Sequence, residues 1–308
     1  MAYVILFKAK NRIMKNNLLG TSNIKVSEIA FGCMSLELQK GQQYVNDLLR
    51  RAHDGGINFF DTADLYNKGM NEEMVGTALA PIRDDIFIAT KVGNVWREDG
   101  SGWDWNPSKE HILSAVNESL RRLQTDHIDL YMLHGGTIDD PIDEAAEAFE
   151  TLKRQGKIKA YGISSIRPNT IREWVDRSNM DVVMMQYSLL DRRPEEEVLD
   201  LLAENDISVI TRGTLAKGML IDKPGEDYLG YTADQVNKMK EVVNQTGSSI
   251  KACTDYVLQH PAVASAVLGI RTSSQLSDIL NTENDTIPDT ELSRLPDTLE
   301  PNFYEKHR

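Results

Sequence analysis

Apolar and polar residues follow one another in blocks along this chain, and the blocks predict regular strands and helices. Short apolar runs, of a length typical of buried strands, break off into polar residues. The segments between them repeat apolar residues at helical spacing, as at Ile112, Val116 and Leu120. We predict a hairpin over 18–26, strands over 28–31, 57–60, 86–90, 128–133, 158–163, 182–185, 207–210 and 263–268, and helices over 42–53, 71–79, 107–123, 141–155, 168–178, 194–204, 232–245, 248–260 and 273–280.

Strands and helices alternate in this prediction, which indicates an α/β fold with a parallel sheet. There are eight strand–helix units after the hairpin, and eight is the number that closes into a barrel. We therefore predict a (β/α)8 barrel with a short N-terminal hairpin and extra helices near the C-terminal end. An open doubly wound sheet is the alternative, but no Gly-x-Gly-x-x-Gly follows the first strand.

The two ends of the chain differ from the barrel segment. We expect residues 1–15 to be an N-terminal appendage, because Met14 opens a stretch that looks like a natural beginning. Synthesis would then start at Met14, or the residues before it would be loosely held and mobile. Residues 16–283 would form the barrel, and the polar tail 284–308 would lie on its exterior.

Composition narrows the class of partner. A formal charge of -13 argues against nucleic acid, since binding to phosphates along a strand needs a basic face. Cys33 and Cys253 are the only cysteines, which favours a reduced, cytoplasmic setting. No apolar run is long enough for a membrane span. We expect a monomer or weak homo-oligomer that acts on a small molecule.

Three consecutive predicted strands lead into ionisable residues, namely Asp61, Lys91 and His134, and Tyr66 follows in the loop after the first of them. Strand ends converge on the carboxyl-terminal face of a barrel, so these side chains should meet. An ammonium would lower the pKa of the tyrosine, and Asp61 would keep a buried Lys91 charged. His134 would donate a hydrogen bond to a carbonyl oxygen. Each residue alone has an ordinary structural explanation, but their joint placement favours proton transfer.

These four residues include no nucleophile with its own base, and His134 has no neighbour at metal-ligand spacing. An acid and an oxyanion donor without a nucleophile indicate that an external reagent attacks the carbonyl carbon. A hydride from a nicotinamide cofactor fits this description. A barrel that enolises its substrate without any nicotinamide is an alternative.

The sequence resembles the aldo-keto reductase family over about residues 16–283. The matching stretches are Asp61-Thr62-Ala63-Asp64-Leu65-Tyr66, Asn71-Glu72-Glu73-Met74-Val75-Gly76, Thr90-Lys91, Leu133-His134, Gly162-Ile163-Ser164-Ser165 and Gln186-Tyr187-Ser188. The resemblance implies a TIM barrel that binds NADPH without a Rossmann fold and reduces aldehydes or ketones. It places the family's catalytic tetrad on Asp61, Tyr66, Lys91 and His134.

The same resemblance implies a set of cofactor-binding residues. Ser164, Ser165 and Gln186 would hold the nicotinamide carboxamide, and Arg212 would stack on the ring where many members have an aromatic residue. The residues near the phosphates would be Gly213, Thr214, Leu215, Lys217, Gly269, Arg271 and Gln275. Backbone amides at a helix start attract anions, and Arg271 can fork onto a phosphate, which favours NADPH over NADH. Ile279 replaces an asparagine that often meets the adenine.

The loop 92–106 carries Trp96, Trp103 and Trp105, and by resemblance it lines the substrate pocket. A hydrophobic, aromatic carbonyl compound would suit it. Some barrels of this family serve as accessory subunits, so an NADPH-sensing binding protein with little turnover is the alternative from a different functional class.

Overall fold

A computed structural model describes residues 14–282 and 285–308. The predictions made for residues 1–13 lie outside the described residues. The strands and helices in chain order are β1 (Asn16–Leu18), β2 (Lys25–Ser27), β3 (Ile29–Gly32), α1 (Gln42–Asp54), β4 (Phe59–Asp61), α2 (Met70–Leu79), β5 (Phe87–Val92), β6 (Asn94–Trp96), β7 (Trp103–Trp105), α3 (Lys109–Leu123), β8 (Ile128–Leu133), α4 (Ile142–Arg154), β9 (Ile158–Ser164), α5 (Pro168–Arg177), β10 (Val182–Gln186), α6 (Val198–Glu204), β11 (Ser208–Arg212), α7 (Ala233–Gln245), α8 (Ser249–Leu258), β12 (Val263–Gly269), α9 (Ser273–Thr282) and α10 (Asp289–Leu292).

Eight parallel strands form a closed barrel in the order β3-β4-β5-β8-β9-β10-β11-β12. The last strand returns to the first, with Ala266 opposite Ile29 and Gly269 opposite Gly32. This pairing confirms the predicted (β/α)8 barrel and excludes the open sheet. Because all eight strands run in the same direction, their carboxyl ends lie around one rim, where the loops that follow them form the candidate site.

Apolar side chains fill the barrel and the layer between barrel and helices. Phe59, Leu130 and Ile210 belong to the cluster inside the barrel, which also contains Leu19 and Ile24. The latter two come from the predicted hairpin, in which β1 and β2 pair antiparallel. The hairpin therefore closes the amino-terminal end of the barrel, opposite the rim that carries the polar residues.

Two details differ from the prediction. The expected loop 92–106 contains an antiparallel pair, with Asn94 of β6 opposite Trp105 of β7 and Trp96 opposite Trp103. The helix expected from residue 194 begins only at Val198, because Glu197 has a φ of -160° and interrupts the helical backbone.

The described part of the tail, residues 285–308, packs against the barrel. Leu292 and Leu295 belong to the main hydrophobic core. Asn302 accepts a hydrogen bond from the Arg192 amide at 2.9 Å and donates to the carbonyl oxygens of Leu190 and Leu229. The division of the chain near residues 15 and 284 stays a prediction. In the described residues, no helix has both the length and the apolarity that crossing a membrane requires.

Candidate active site

Asp61 and Lys91 form a buried ion pair at the carboxyl-terminal rim. Asp61 ends β4 and Lys91 lies near the end of β5, the next strand around the barrel. The Lys91 Nζ donates to Asp61 Oδ1 at 2.5 Å and to the Thr62 carbonyl oxygen at 2.7 Å. Both side chains are almost completely buried. A buried ammonium is therefore held by a carboxylate and a carbonyl, which fixes its position.

Tyr66 and His134 complete a group of four side chains. His134 directly follows β8, and Tyr66 lies in the loop after β4. The Lys91 Nζ is 5.4 Å from the centroid of the Tyr66 ring. The Tyr66 and His134 rings meet edge to face, with centroids 5.9 Å apart and an angle of 81° between their planes. The structure thus brings all four predicted residues together, as convergent strand ends require.

The protonation states follow from burial and charge. Burial alone would lower the pKa of Lys91, but Asp61 and Tyr66 raise it, and the net pKa lies above its ordinary value. Burial raises the pKa of Tyr66, and this effect outweighs the opposing influence of Lys91. The expectation that the ammonium would produce a low tyrosine pKa is therefore wrong in net direction. Tyr66 keeps its proton at neutral pH and is available as a proton donor.

His134 is held in the neutral form. Burial, with the neighbouring charges of Lys91 and Arg212, lowers its pKa to about 3. Its Nδ1 atom is buried and lacks a hydrogen-bond partner within the described residues. A neutral imidazole carries a single N–H, so His134 can orient a carbonyl oxygen without acting as a strong acid itself.

The next strands bring Ser164, Gln186 and Arg212 to the same rim. They are the last residues of β9, β10 and β11, and Gln186 lies opposite Arg212 in the parallel pairing. The Gln186 Nε2 donates to the Tyr228 hydroxyl at 3.2 Å. Ser165 is buried, and its hydroxyl accepts a hydrogen bond from the Arg167 amide at 3.2 Å. The Ser165 amide donates to the Met184 carbonyl at 3.0 Å, so the hydroxyl hydrogen is what Ser165 has left to offer a cofactor.

The segment after β11 makes a tight turn. Gly213 has a φ of +73°, which favours glycine, and Lys217 also has a left-handed backbone with a φ of 58°. Thr214 is buried and its hydroxyl pairs with that of Thr211 at 3.0 Å. Leu215 packs against the hydrophobic core. The Lys217 Nζ lies 5.7 Å from the Tyr228 ring centroid, at the open side of this turn.

The segment after β12 opens helix α9 at Ser273, and Gly269 and Arg271 immediately precede it. The Gln275 side chain accepts from the Arg271 amide at 3.0 Å, and the Gln275 amide donates to Thr272 Oγ1 at 3.2 Å. Within the described chain, the amides of Ser273 and Ser274 have no acceptor, and Arg271 has no ion-pair partner. The positive end of a helix and a guanidinium are thus both available to an anion. Ile279 lies in the core, where it offers no polar contact.

The tryptophan hairpin β6–β7 covers the side of the site near Tyr66 and His134. The Trp96 Nε1 donates to the Leu65 carbonyl at 3.0 Å, and Trp96 and Trp103 meet edge to face with centroids 5.5 Å apart. The Trp105 Nε1 donates to Asp140 Oδ1 at 3.0 Å. Its ring covers Gly93 so closely that a Cβ there would come within 2.6 Å of it. Trp103 remains half exposed at the rim.

Sequence reasoning assigned no role to two polar residues next to the site, the half-buried Asp64 and the buried Asn71. Asp64 lies two residues before Tyr66, and burial together with the charge of Glu72 raises its pKa to about 7. Asn71, predicted here only as part of a motif, is fully buried, accepts from Thr62 Oγ1 at 2.7 Å and donates to the Cys33 carbonyl at 2.9 Å. It therefore ties the ends of β3 and β4 together. Each belongs to a short polar stretch of the sequence, and that was the one local indication of a role at the site.

A cluster of Asp191, Arg193 and Tyr304, which the sequence also did not indicate, joins the C-terminal tail to the rim. Asp191 is buried and binds the Arg193 guanidinium at 2.7 and 2.8 Å. Arg193 in turn lies over the Tyr304 ring, 4.9 Å from its centroid. No local pattern in the sequence could pair residues so far apart along the chain.

Comparison with known proteins agrees with this geometry. The sequence model of the Aldo/keto reductase family matches residues 28–300. The chain is 44% identical over 308 residues to the uncharacterized oxidoreductase YqkF of Bacillus subtilis, covering 96% of this chain and 100% of that protein. It is 32% identical over 277 residues to the NADH-specific methylglyoxal reductase of Escherichia coli, covering 82% and 85%.

Among solved structures, the holo form of aldo-keto reductase AKR11C1 from Bacillus halodurans superposes with a TM-score of 0.90 at 46% identity, covering 96% of this chain and 99% of that one. The likeness extends over nearly the whole length of both chains, in sequence as well as in fold. This chain therefore belongs to the aldo-keto reductase family and is an oxidoreductase.

Proposed function

We propose that the protein reduces an aldehyde or ketone to an alcohol by hydride transfer from NADPH, as an NADP(H)-dependent aldo-keto reductase. The observation that carries this proposal is the buried Lys91–Asp61 pair, with a 2.5 Å contact, beside a protonated Tyr66 and a neutral His134. This set can donate a proton to a carbonyl oxygen and stabilise the charge that develops on it.

Three features of the rim support the binding of an extended nucleotide. A Cβ added at Gly213 would lie 3.5 Å from Gln186 Cγ, so the glycine leaves backbone accessible beside the carboxamide-binding position proposed for Ser164 and Gln186. Among the described residues, the first amides of α9 have no acceptor and Arg271 has no ion-pair partner, and both groups suit a phosphate. We assign the pyrophosphate to the turn from Gly213 to Lys217 and the 2′-phosphate to Gly269, Arg271 and Gln275. Arg271 supports NADPH over NADH, although one relative is named as NADH-specific.

In the proposed reaction, different side chains orient the carbonyl, transfer the proton and stabilise the resulting charge. When bound, NADPH supplies the hydride that reaches the carbonyl carbon. His134, neutral at working pH, donates a hydrogen bond that orients the carbonyl oxygen, a contribution worth about 3 kcal/mol. Tyr66 gives its proton to that oxygen, for which positioned acids contribute about 10²- to 10⁴-fold. Lys91, kept charged by Asp61, then stabilises the phenolate that remains.

The loops that follow the barrel strands carry exposed apolar side chains, which support a hydrophobic substrate. Met34 follows β3, Trp103 lies in the hairpin after β5, and Ile138 follows β8, with exposed fractions of 62%, 50% and 50%. Exposed apolar side chains on the loops that surround a polar site are typical of ligand-binding surfaces. We expect the preferred carbonyl compounds to carry an aromatic or long aliphatic substituent.

Titration with NADPH and with NADH, followed by a multiple-turnover assay on a panel of aldehydes, tests the proposal. We expect saturable binding of NADPH, weaker binding of NADH, and many turnovers with aromatic aldehydes. Saturable binding without multiple turnover on any carbonyl compound would instead support the sensing or accessory role. Absence of binding by either nucleotide would contradict both functions.

A further inference from the structure

Beside the proposed catalytic residues lies a cation, Arg212, whose charge no ion pair within the described residues neutralises. Arg212 is half-buried at the end of β11, on the same rim as the proposed catalytic residues and directly opposite Gln186 of the neighbouring strand β10. No carboxylate of the described residues forms an ion pair with it, although two carboxylates, Asp61 and Asp191, interact with it electrostatically.

Both of those carboxylates are already paired with another cation. Asp61 holds Lys91 at 2.5 Å, and Asp191 holds Arg193 through two contacts of 2.7 and 2.8 Å. Each of these two ion pairs is neutral as a whole. Among these groups the guanidinium of Arg212 is therefore the excess charge, since arginine keeps its proton even where burial lowers its pKa.

The titratable neighbours do not offset this charge. His134 is neutral at working pH. Burial raises the pKa of Tyr66, of Tyr228 and of Tyr304, so these hydroxyls stay protonated. These groups together carry about one positive charge, that of Arg212, held in partly buried surroundings where solvent screens it less than at an open surface. Lys217 and Arg271 belong to the segments proposed to hold the phosphates, which are the same in both forms of the cofactor.

We propose that Arg212 makes this site discriminate between the two oxidation states of the nicotinamide, binding NADPH about tenfold more tightly than NADP⁺. The inference rests on the proposed function and names a specificity-determining residue for it. The nicotinamide ring is neutral in NADPH and carries a positive charge in NADP⁺, while the phosphates are the same. A nearby uncompensated cation therefore repels only the oxidised form.

The ring must come within reach of this charge. Hydride transfer requires the donor carbon to lie about 3 to 3.5 Å from the carbonyl carbon. In the proposed function Tyr66 and His134 hold the oxygen of that carbonyl. Arg212 lies directly opposite Gln186, which is proposed to hold the nicotinamide carboxamide. Preference for the reduced form would favour loading with reductant and release of oxidised cofactor, so the site would be biased towards carbonyl reduction.

Calorimetric titration with NADPH and with NADP⁺ at pH 7 tests the proposal in four proteins: the wild type, Arg212→Met, Arg212→Lys and Arg271→Met. We expect a ratio of dissociation constants, NADP⁺ over NADPH, of about 10 in the wild type and near 1 in Arg212→Met. Arg212→Lys keeps the positive charge but removes the planar guanidinium group. It should therefore keep the ratio of dissociation constants even if both affinities fall. Arg271→Met removes a cation from the phosphate end and should weaken both nucleotides equally.

A ratio near 1 in the wild type, or an unchanged ratio in Arg212→Met, would overturn the proposal. Loss of the ratio in Arg212→Lys as well would assign the preference to stacking and also overturn it. If Arg212→Met does not fold, Arg212→Gln takes its place, since it also removes the charge and should also give a ratio near 1. Failure of the wild type to bind either nucleotide would refute the proposed function itself, and this inference with it.

Discussion

Replacing Asp61 with asparagine removes the anion that holds Lys91 but keeps the size of the side chain. The Lys91 Nζ would keep its 2.7 Å contact with the Thr62 carbonyl but lose the carboxylate now at 2.5 Å. Removing one partner of a buried ion pair costs about 3 to 5 kcal/mol, because an uncompensated charge stays behind. Since the amide oxygen can still accept one hydrogen bond, we expect a loss of about 3 kcal/mol in the free energy of unfolding.

The effect should depend on pH with a defined sign. In the wild type the pKa of Lys91 is raised, so its contribution to stability persists through neutral pH and is lost only as pH rises through that raised value. In Asp61→Asn, burial is opposed only by the weaker effect of Tyr66, and the pKa of Lys91 should fall below the ordinary value for lysine. The folded variant then binds fewer protons than the unfolded chain, so its stability increases with pH. The difference between the two proteins should therefore shrink between pH 7 and pH 10.

Urea unfolding of both proteins at several pH values measures this difference. Asp104→Asn is a matched control, because Asp104 pairs with Arg97 at 2.6 Å but both side chains are exposed. Exposed pairs contribute little, so the control should unfold like the wild type. The reasoning is refuted if Asp61→Asn and Asp104→Asn have the same stability at pH 7, or if the gap widens as pH rises.

Three further predictions concern the barrel and its rim. The pKa of His134 is lowered to about 3, so below about pH 6.5 the unfolded chain binds a proton there that the folded protein does not bind. The free energy of unfolding should therefore decrease as the pH falls below about 6.5, and it should decrease less in His134→Gln. An NMR titration that gives His134 a pKa near the ordinary value of about 6.5 would contradict this. A Cβ at residue 162 would lie 1.9 Å from the Val182 carbonyl oxygen, so Gly162→Ala should lose about 3 kcal/mol in urea unfolding; an unchanged midpoint would disprove the close approach of β9 and β10. Trp103 is 50% exposed at the rim, so Trp103→Ala should raise KM about tenfold for aromatic aldehydes and little for small polar ones in steady-state assays; equal changes for both classes would argue against substrate contact.

The barrel could be predicted because its strands are short, apolar and separated by strongly periodic helices. The strand ends agree closely, as at Leu133 of β8, because burial on both faces requires apolar residues up to the rim. The β6–β7 pair was missed because its strands are brief and partly exposed. Its stability comes from contacts such as that between the Trp96 and Trp103 rings, which depend on the folded loop and not on local propensity.

The positions of the site residues could also be predicted, but not their electrostatics. Asp61, Lys91 and His134 end neighbouring strands, so topology alone brings them together. The direction of the Tyr66 pKa depends on how much burial opposes the effect of Lys91, and burial is a property of the packed structure. Similarly, the spacing of residues could not show that the Ser165 hydroxyl accepts a hydrogen bond from the Arg167 amide, or that the Thr214 hydroxyl pairs with that of Thr211.

The most direct test of the catalytic account is the comparison of NADPH binding and aldehyde turnover in the wild type and in Tyr66→Phe. The substitution removes a single oxygen atom, and with it the proposed proton donor. We predict that the dissociation constant for NADPH changes by less than about threefold while kcat falls by at least about 10², the contribution expected of a positioned acid. Turnover at the wild-type rate in Tyr66→Phe, with NADPH bound, would contradict the account.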